Sequence, residues 1–83
     1  NPFNNSVRIS FLLDNNRQKK ILIYNMMGVL VKSLYIRNII KGENYIFWDG
    51  KNDSGKTSTS GIYFIKLIQG FETLGAQKVL FLK

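Results

Sequence analysis

Apolar residues recur at every second position along several short segments, which is the period of a β-strand with one buried face. In the first segment, the apolar set is Val7, Ile9, Phe11 and Leu13. Further segments rich in β-branched and aromatic residues cover 20–24, 29–35, 45–48, 62–68 and 77–83, and 57–59 is a candidate short strand. The pattern therefore predicts six or seven strands and no helix. A helix over 29–40 is disfavoured because the segment is rich in β-branched residues and lacks an N-cap.

Turn residues separate the predicted strands. Residues 25–28 and 52–55 each begin with Asn and end with Gly, as type I turns often do. Asp14-Asn15-Asn16 is a third turn, and Gln69-Gly70 interrupts the fifth strand. Short strands at this spacing predict an all-β, antiparallel β-sandwich that forms one domain over residues 1–83. Trp48 is the expected centre of its core.

Several strands are apolar on both faces, although only one face of each can line the core. The apolar residues on the other strand faces predict an exposed docking patch made of Tyr45, Phe47, Ile62, Phe64 and Ile68. The alternative is that loops cover these side chains, or that they lie singly on the surface without a function. Stacking of the aromatic rings on sugars or bases is a weaker alternative, because no basic residue except Lys66 interleaves closely with them.

The amino-acid composition excludes several kinds of catalytic and metal-binding chemistry. The 83 residues include no cysteine and no histidine, so disulfides, thiolate chemistry and histidine acid–base catalysis are excluded. No apolar run approaches the ~20 residues of a membrane-spanning helix, so no transmembrane segment is expected. Asp49 and Asp53 are close in sequence, but Lys51 lies where a calcium loop needs an oxygen ligand. We therefore interpret them as turn residues and predict no metal, no cofactor and no enzyme.

The net charge of +7 is unevenly distributed. Between Asp14 and Glu43 the chain has basic residues and no acidic one; the basic residues are Arg17, Lys19, Lys20, Lys32, Arg37 and Lys41. A basic surface could attract nucleic acid, anionic lipid or anionic polysaccharide. We favour lysines on solvent-facing strand positions, where they oppose aggregation. Nucleic acid is not an expected partner.

Several short motifs, in this order, resemble the C-terminal sorting domains of cargo exported by the type IX secretion system. The motifs are Asn1-Pro2-Phe3-Asn4, Ile23-Tyr24-Asn25 followed by Gly28, Val31 and Leu34, Trp48-Asp49-Gly50, Ser60-Gly61-Ile62-Tyr63, and Lys78-Val79 in the last strand. The immunoglobulin-like domain of the flagellar hook-capping protein is a relative of this family. The resemblance extends over essentially the whole chain, and its specificity lies in the order and spacing of the motifs.

The resemblance implies an immunoglobulin-like sandwich of about seven strands at the C-terminus of a larger secreted protein. Such a domain directs its cargo through the periplasm and across the outer membrane of a Gram-negative bacterium, to the medium or the cell surface. Its partners are the outer-membrane secretion machinery, a sortase-like peptidase that removes it by cutting upstream of these residues, and the cargo domain in the same chain. The predicted recognition element is the last strand, Lys78, Val79, Leu80, Phe81, Leu82 and Lys83.

A second interpretation stays open at this point. The related domain of the hook-capping protein shares the fold without being a sorting signal, and a fold alone does not fix a function. The chain could therefore be an immunoglobulin-like accessory module of an extracellular enzyme that binds carbohydrate or protein.

Overall fold

The computed structural model describes residues 6–36 and 40–83. Within these residues it contains six β-strands and no helix. The strands are β1 (Val7–Leu13), β2 (Lys19–Tyr24), β3 (Leu30–Ile36), β4 (Gly42–Trp48), β5 (Gly61–Gln69) and β6 (Glu72–Phe81).

The strands form two antiparallel sheets. β1 and β4 make one sheet, in which Val7 lies opposite Trp48. The other sheet has the order β3-β2-β5-β6. Its outer pairs, β2–β3 and β5–β6, are hairpins, whereas the central pair joins β2 to β5, which is distant in sequence. The predicted all-β sandwich is confirmed.

The core lies between the two sheets and is formed by the inward side chains of both. Its buried members are Val7, Ile9, Leu13, Ile21, Ile23, Ile36, Trp48, Tyr63, Ile65, Leu67 and Phe81. Phe11, Val31, Leu34, Ile46 and Val79 pack against this cluster while partly buried. The alternation predicted for β1, β4 and β5 is therefore present, and Trp48 lies in the core as expected.

Both Asn-to-Gly turns have the expected hydrogen bond. The N–H of Gly28 donates to the carbonyl of Asn25 at 3.0 Å, and the N–H of Gly55 donates to that of Asn52 at 2.9 Å. Each asparagine side chain also accepts backbone N–H groups within its turn, from Met27 and Val29 and from Ser54 and Lys56. These bonds fix the turn without a partner from elsewhere.

Two predicted strand starts are wrong by several residues, and the candidate short strand at 57–59 is absent. β6 begins at Glu72 rather than at residue 77, because the tight turn at Gly70 brings the whole segment alongside β5. β4 begins at Gly42 rather than at residue 45, because β1 pairs with its full length. Residues 57–59 form no strand, and Thr57 makes an isolated bridge with Lys51.

Candidate functional site

The predicted recognition element occupies the end of β6 and the two residues that follow it. Phe81 is buried and Val79 packs against the core, so the inward side of the segment anchors it. The N–H of Lys83 donates a hydrogen bond to Ser60 Oγ at 3.0 Å. The exposed side chains of the segment are Lys78, Leu80, Leu82 and Lys83. The scaffold thus holds this segment in an extended form and presents its remaining side chains to solvent.

The anchor Phe81 joins residues from two of the sequence motifs. Its ring centroid lies 5.3 Å from that of Trp48 and 6.4 Å from that of Tyr63, and Trp48 and Tyr63 are 5.0 Å apart. The ring also lies against Gly50, where an added Cβ would overlap it. Gly50 has a φ of 79°, which L side chains rarely adopt. Conformation and space therefore both require glycine here.

Buried polar atoms of this aromatic cluster have partners. The Nε1–H of Trp48 donates to the carbonyl of Lys51 at 2.9 Å, which ties the following loop to the core. The hydroxyl of Tyr63 donates to the carbonyl of Thr59 at 2.6 Å. A tyrosine near the start of a strand, bonded to backbone a few residues upstream, has the geometry of the tyrosine corner of immunoglobulin-like sandwiches.

Asp49 and Asp53 act as turn and docking residues. Asp49 Oδ1 accepts the N–H of Lys51 at 3.0 Å. Asp53 Oδ1 accepts the N–H of Ser33 at 3.3 Å, and the N–H of Asp53 donates to the carbonyl of Val31 at 3.0 Å. The loop is thereby fixed to the edge of β3. Among the described residues, no group of acidic side chains is placed to hold a metal ion.

The five residues of the predicted docking patch do not form one surface. Tyr45 and Phe47 are exposed on the outer face of the β1–β4 sheet, whereas Ile62, Phe64 and Ile68 are on the outer face of the four-stranded sheet. The two outer faces lie on opposite sides of the sandwich. The alternation identified outward positions correctly, but it could not show that β4 and β5 belong to different sheets.

The aromatic pair on the smaller sheet does not form a flat platform. The rings of Tyr45 and Phe47 meet edge to face, with centroids 5.6 Å apart and planes at 83°. The guanidinium of Arg8 lies 4.2 Å from the centroid of the Tyr45 ring. A sugar-binding strip needs coplanar, accessible ring faces, whereas these two rings are nearly perpendicular and Arg8 covers part of the Tyr45 ring.

One basic residue of the segment between Asp14 and Glu43 departs from the predicted solvent-facing position. Lys19 is 1% exposed rather than solvent-facing. Its Nζ donates to Asn15 Oδ1 at 2.7 Å, to the carbonyl of Arg17 at 2.8 Å and to that of Asn15 at 3.3 Å, so the β1–β2 loop encloses the ammonium group. Arg37 lies outside the described residues.

Sequence reasoning did not identify one group of exposed apolar residues. Met26 and Met27, at the β2–β3 turn, are 68% and 87% exposed. Two consecutive methionines in a four-residue turn are an unusual choice for a solvent-facing loop, and this was the available signal.

The motif at residues 1–4 lies outside the described residues. No helix in the described part of the chain could span a membrane.

These features define an immunoglobulin-like β-sandwich. Residues 3–69 match the family described as the FlgD Ig-like domain, and the chain belongs to this family. The match extends from the start of the chain through β5, and β6 follows it. No curated protein matches the chain. No solved structure matches it either.

Proposed function

We propose that this chain is a C-terminal sorting domain of the type IX secretion system. It directs a cargo protein across the outer membrane and is then removed by a sortase-like peptidase. The family membership supports the fold that this function requires, because sorting domains and the FlgD Ig-like domain are related in fold. It also supports a module that recognises a partner rather than a catalyst.

The observation that carries the proposal is the geometry of the terminal segment. Phe81 fixes it to the core, while Lys78 and Leu80 are exposed on β6, which is an edge strand, and Leu82 is exposed directly after it. An extended segment at a sheet edge can be read by strand addition, in which backbone hydrogen bonds give affinity and side-chain pockets give specificity. The lysines add electrostatic selection for an acidic receptor.

The test must separate recognition from folding. Removing residues 78–83 would delete Phe81, which is 1% exposed, and so would damage the core as well as the signal. The sharper variant is Leu82→Ser with Lys83→Gln, since both side chains are exposed and Phe81 is retained. The matched control is Phe71→Ser with Lys56→Gln, which removes the same kinds of side chain from exposed positions elsewhere.

Each variant is fused to the C-terminus of a periplasm-directed fluorescent reporter in a bacterium that has the type IX system. We expect the unchanged domain and the control to carry the reporter to the medium or cell surface. The terminal variant should leave it in the periplasm. Equal secretion of all three would refute the role of the segment, and retention of the unchanged fusion would refute the sorting function.

The accessory-module interpretation has less support. Its carbohydrate form needs accessible aromatic faces, and the Tyr45–Phe47 pair is arranged edge to face beneath Arg8. A protein-binding accessory module would not export the reporter, so the reporter experiment distinguishes it from a sorting domain.

A further inference from the structure

The outer face of the four-stranded sheet has a continuous apolar area at one corner. Tyr24 on β2 lies directly opposite Phe64 on β5, and Ile62 lies opposite Leu80 on β6. Met26 borders the same area, because it lines one open depression of about 310 Å³ with Tyr24 and Phe64. It lines a second one of about 250 Å³ with Ile62. Met26, Phe64 and Leu80 are 68%, 41% and 56% exposed.

Three lysines cross this face in a line. Lys20, Lys66 and Lys78 lie on β2, β5 and β6, and each is displaced from the last by one strand and two residues. With ~4.8 Å between strands and ~3.4 Å per residue, neighbouring Cα atoms are about 8 Å apart. The Nζ of Lys66 lies 5.3 Å from the centroid of the Tyr24 ring, so this cation borders the apolar corner.

No acidic side chain balances these lysines within the described part of the face. Asp49 and Asp53 belong to the loop that docks on β3, and Glu43 is on the other sheet. Asp14 follows β1, and Glu72 pairs with Gln69, whose side chain points inward. A second copy of the same face would bring like charges together, so the complementary partner is anionic.

The side chains of the apolar corner favour a fluid lipid surface over a partner of fixed shape. Met26 and Met27 are exposed at the β2–β3 turn, and the two depressions that Met26 lines are shallow and open to solvent rather than enclosed. Methionine is flexible and adapts to irregular apolar surroundings. Lysine keeps its charge in water while its stem lies along apolar surface, and tyrosine is suited to the boundary between lipid and water.

We propose that this face, defined as Met26, Ile62, Phe64 and Leu80 with Lys20, Lys66 and Lys78, binds the surface of an anionic lipid bilayer. The β2–β3 turn enters the headgroup region, and the lysines contact lipid phosphates. Lys78 and Leu80 belong both to this face and to the proposed recognition element, whereas Met26 and Lys66 belong to the lipid-binding face alone.

The test measures co-sedimentation of the 83-residue protein with vesicles of phosphatidylcholine, with and without phosphatidylglycerol. We expect binding to the anionic vesicles that weakens as salt is added. Lys66→Gln should reduce partitioning about five-fold, since each lysine near such a surface is worth ~1 kcal/mol. Met26→Ser should reduce it about ten-fold through lost apolar burial. Lys56→Gln, on the loop after β4, is the matched control and should bind like the unchanged protein.

Several results would overturn the proposal. Equal binding to both kinds of vesicle would exclude the electrostatic part. Unchanged binding of Met26→Ser, together with competition by a soluble acidic polysaccharide, would identify a polyanion rather than a bilayer as the ligand. If the unsubstituted protein is folded, as shown by a cooperative denaturation curve, and does not bind anionic vesicles, the proposal is refuted. Neither substitution touches the terminal segment, so reporter secretion by these variants tests the sorting proposal separately.

Discussion

Replacement of Gly50 by alanine tests the contact that joins the last strand to the core. The substitution has two costs. The φ of 79° places the residue in the left-handed region, where a side chain costs ~1–2 kcal/mol. The new Cβ would also overlap the Phe81 ring, and adding a group to a filled core costs ~1–3 kcal/mol. We expect a total loss of ~2–5 kcal/mol in the free energy of unfolding, the sum of these ranges.

Gly28 provides a matched control. Its φ is also 79°, yet no atom lies within 4 Å of the position that a Cβ would occupy. Gly28→Ala should therefore show the backbone cost alone, and the difference between the two variants measures the contact with Phe81. Changes in the entropy of the unfolded chain are common to both substitutions and cancel in this difference.

The assay is urea denaturation followed by fluorescence of Trp48, the single tryptophan of the chain. Its ring is part of the cluster that contains Phe81, so its emission reports directly on this part of the core. A double variant with Phe81→Leu should lose less stability than the sum of the single variants, because the smaller side chain gives the Cβ room. Equal losses for Gly50→Ala and Gly28→Ala would refute the reasoning.

Three further predictions concern stability. Tyr63→Phe should cost ~0.5–1.5 kcal/mol in urea denaturation because the partly buried hydrogen bond to the carbonyl of Thr59 is lost. Lys19→Met should cost ~1–3 kcal/mol by the same measurement, since three oxygen atoms lose their shared donor; Lys20→Met on the outer face should stay within ~0.5 kcal/mol, and equal losses would argue against the enclosed ammonium group. Asp53→Ala should speed hydrogen exchange of the Ser33 amide on β3, because the Asp53 carboxylate accepts a hydrogen bond from that amide. Lys32→Gln should leave that exchange rate unchanged, because its pairing with Asp53 at 3.8 Å is a weak surface interaction.

The sequence was sufficient for features that depend on local pattern. Alternation identified the inward residues of β1 and β5, and Asn and Gly identified both type I turns. The first half of β6 was missed because Glu72, Thr73 and Gly75 do not continue the apolar alternation of a strand. Its conformation comes from pairing with β5 after a tight turn, which a propensity argument over the segment alone does not include.

The candidate surfaces were harder to predict because they depend on which strands share a sheet. Nothing in the pattern of Phe47 or Phe64 indicates that they face opposite sides of the sandwich. Lys19 illustrates the same difficulty for charge. Its sequence position resembles that of any strand lysine, and its burial results from loop carbonyls that fold around it. Tertiary contacts of this kind leave no periodic signal.

The strand order also determines how quickly this domain can fold. Only β2–β3 and β5–β6 are hairpins in the described topology, while the β1–β4 and β2–β5 pairs join strands that lie roughly a third to more than half of the chain apart. Each of these pairings closes a long loop before any contact stabilises it, which places such topologies in the millisecond-to-second range. The rate-limiting step should therefore be the docking of the two sheets around Trp48, with the hairpins formed earlier. Until the two sheets dock, their apolar inner faces are accessible to solvent and to any chaperone that binds unfolded chains.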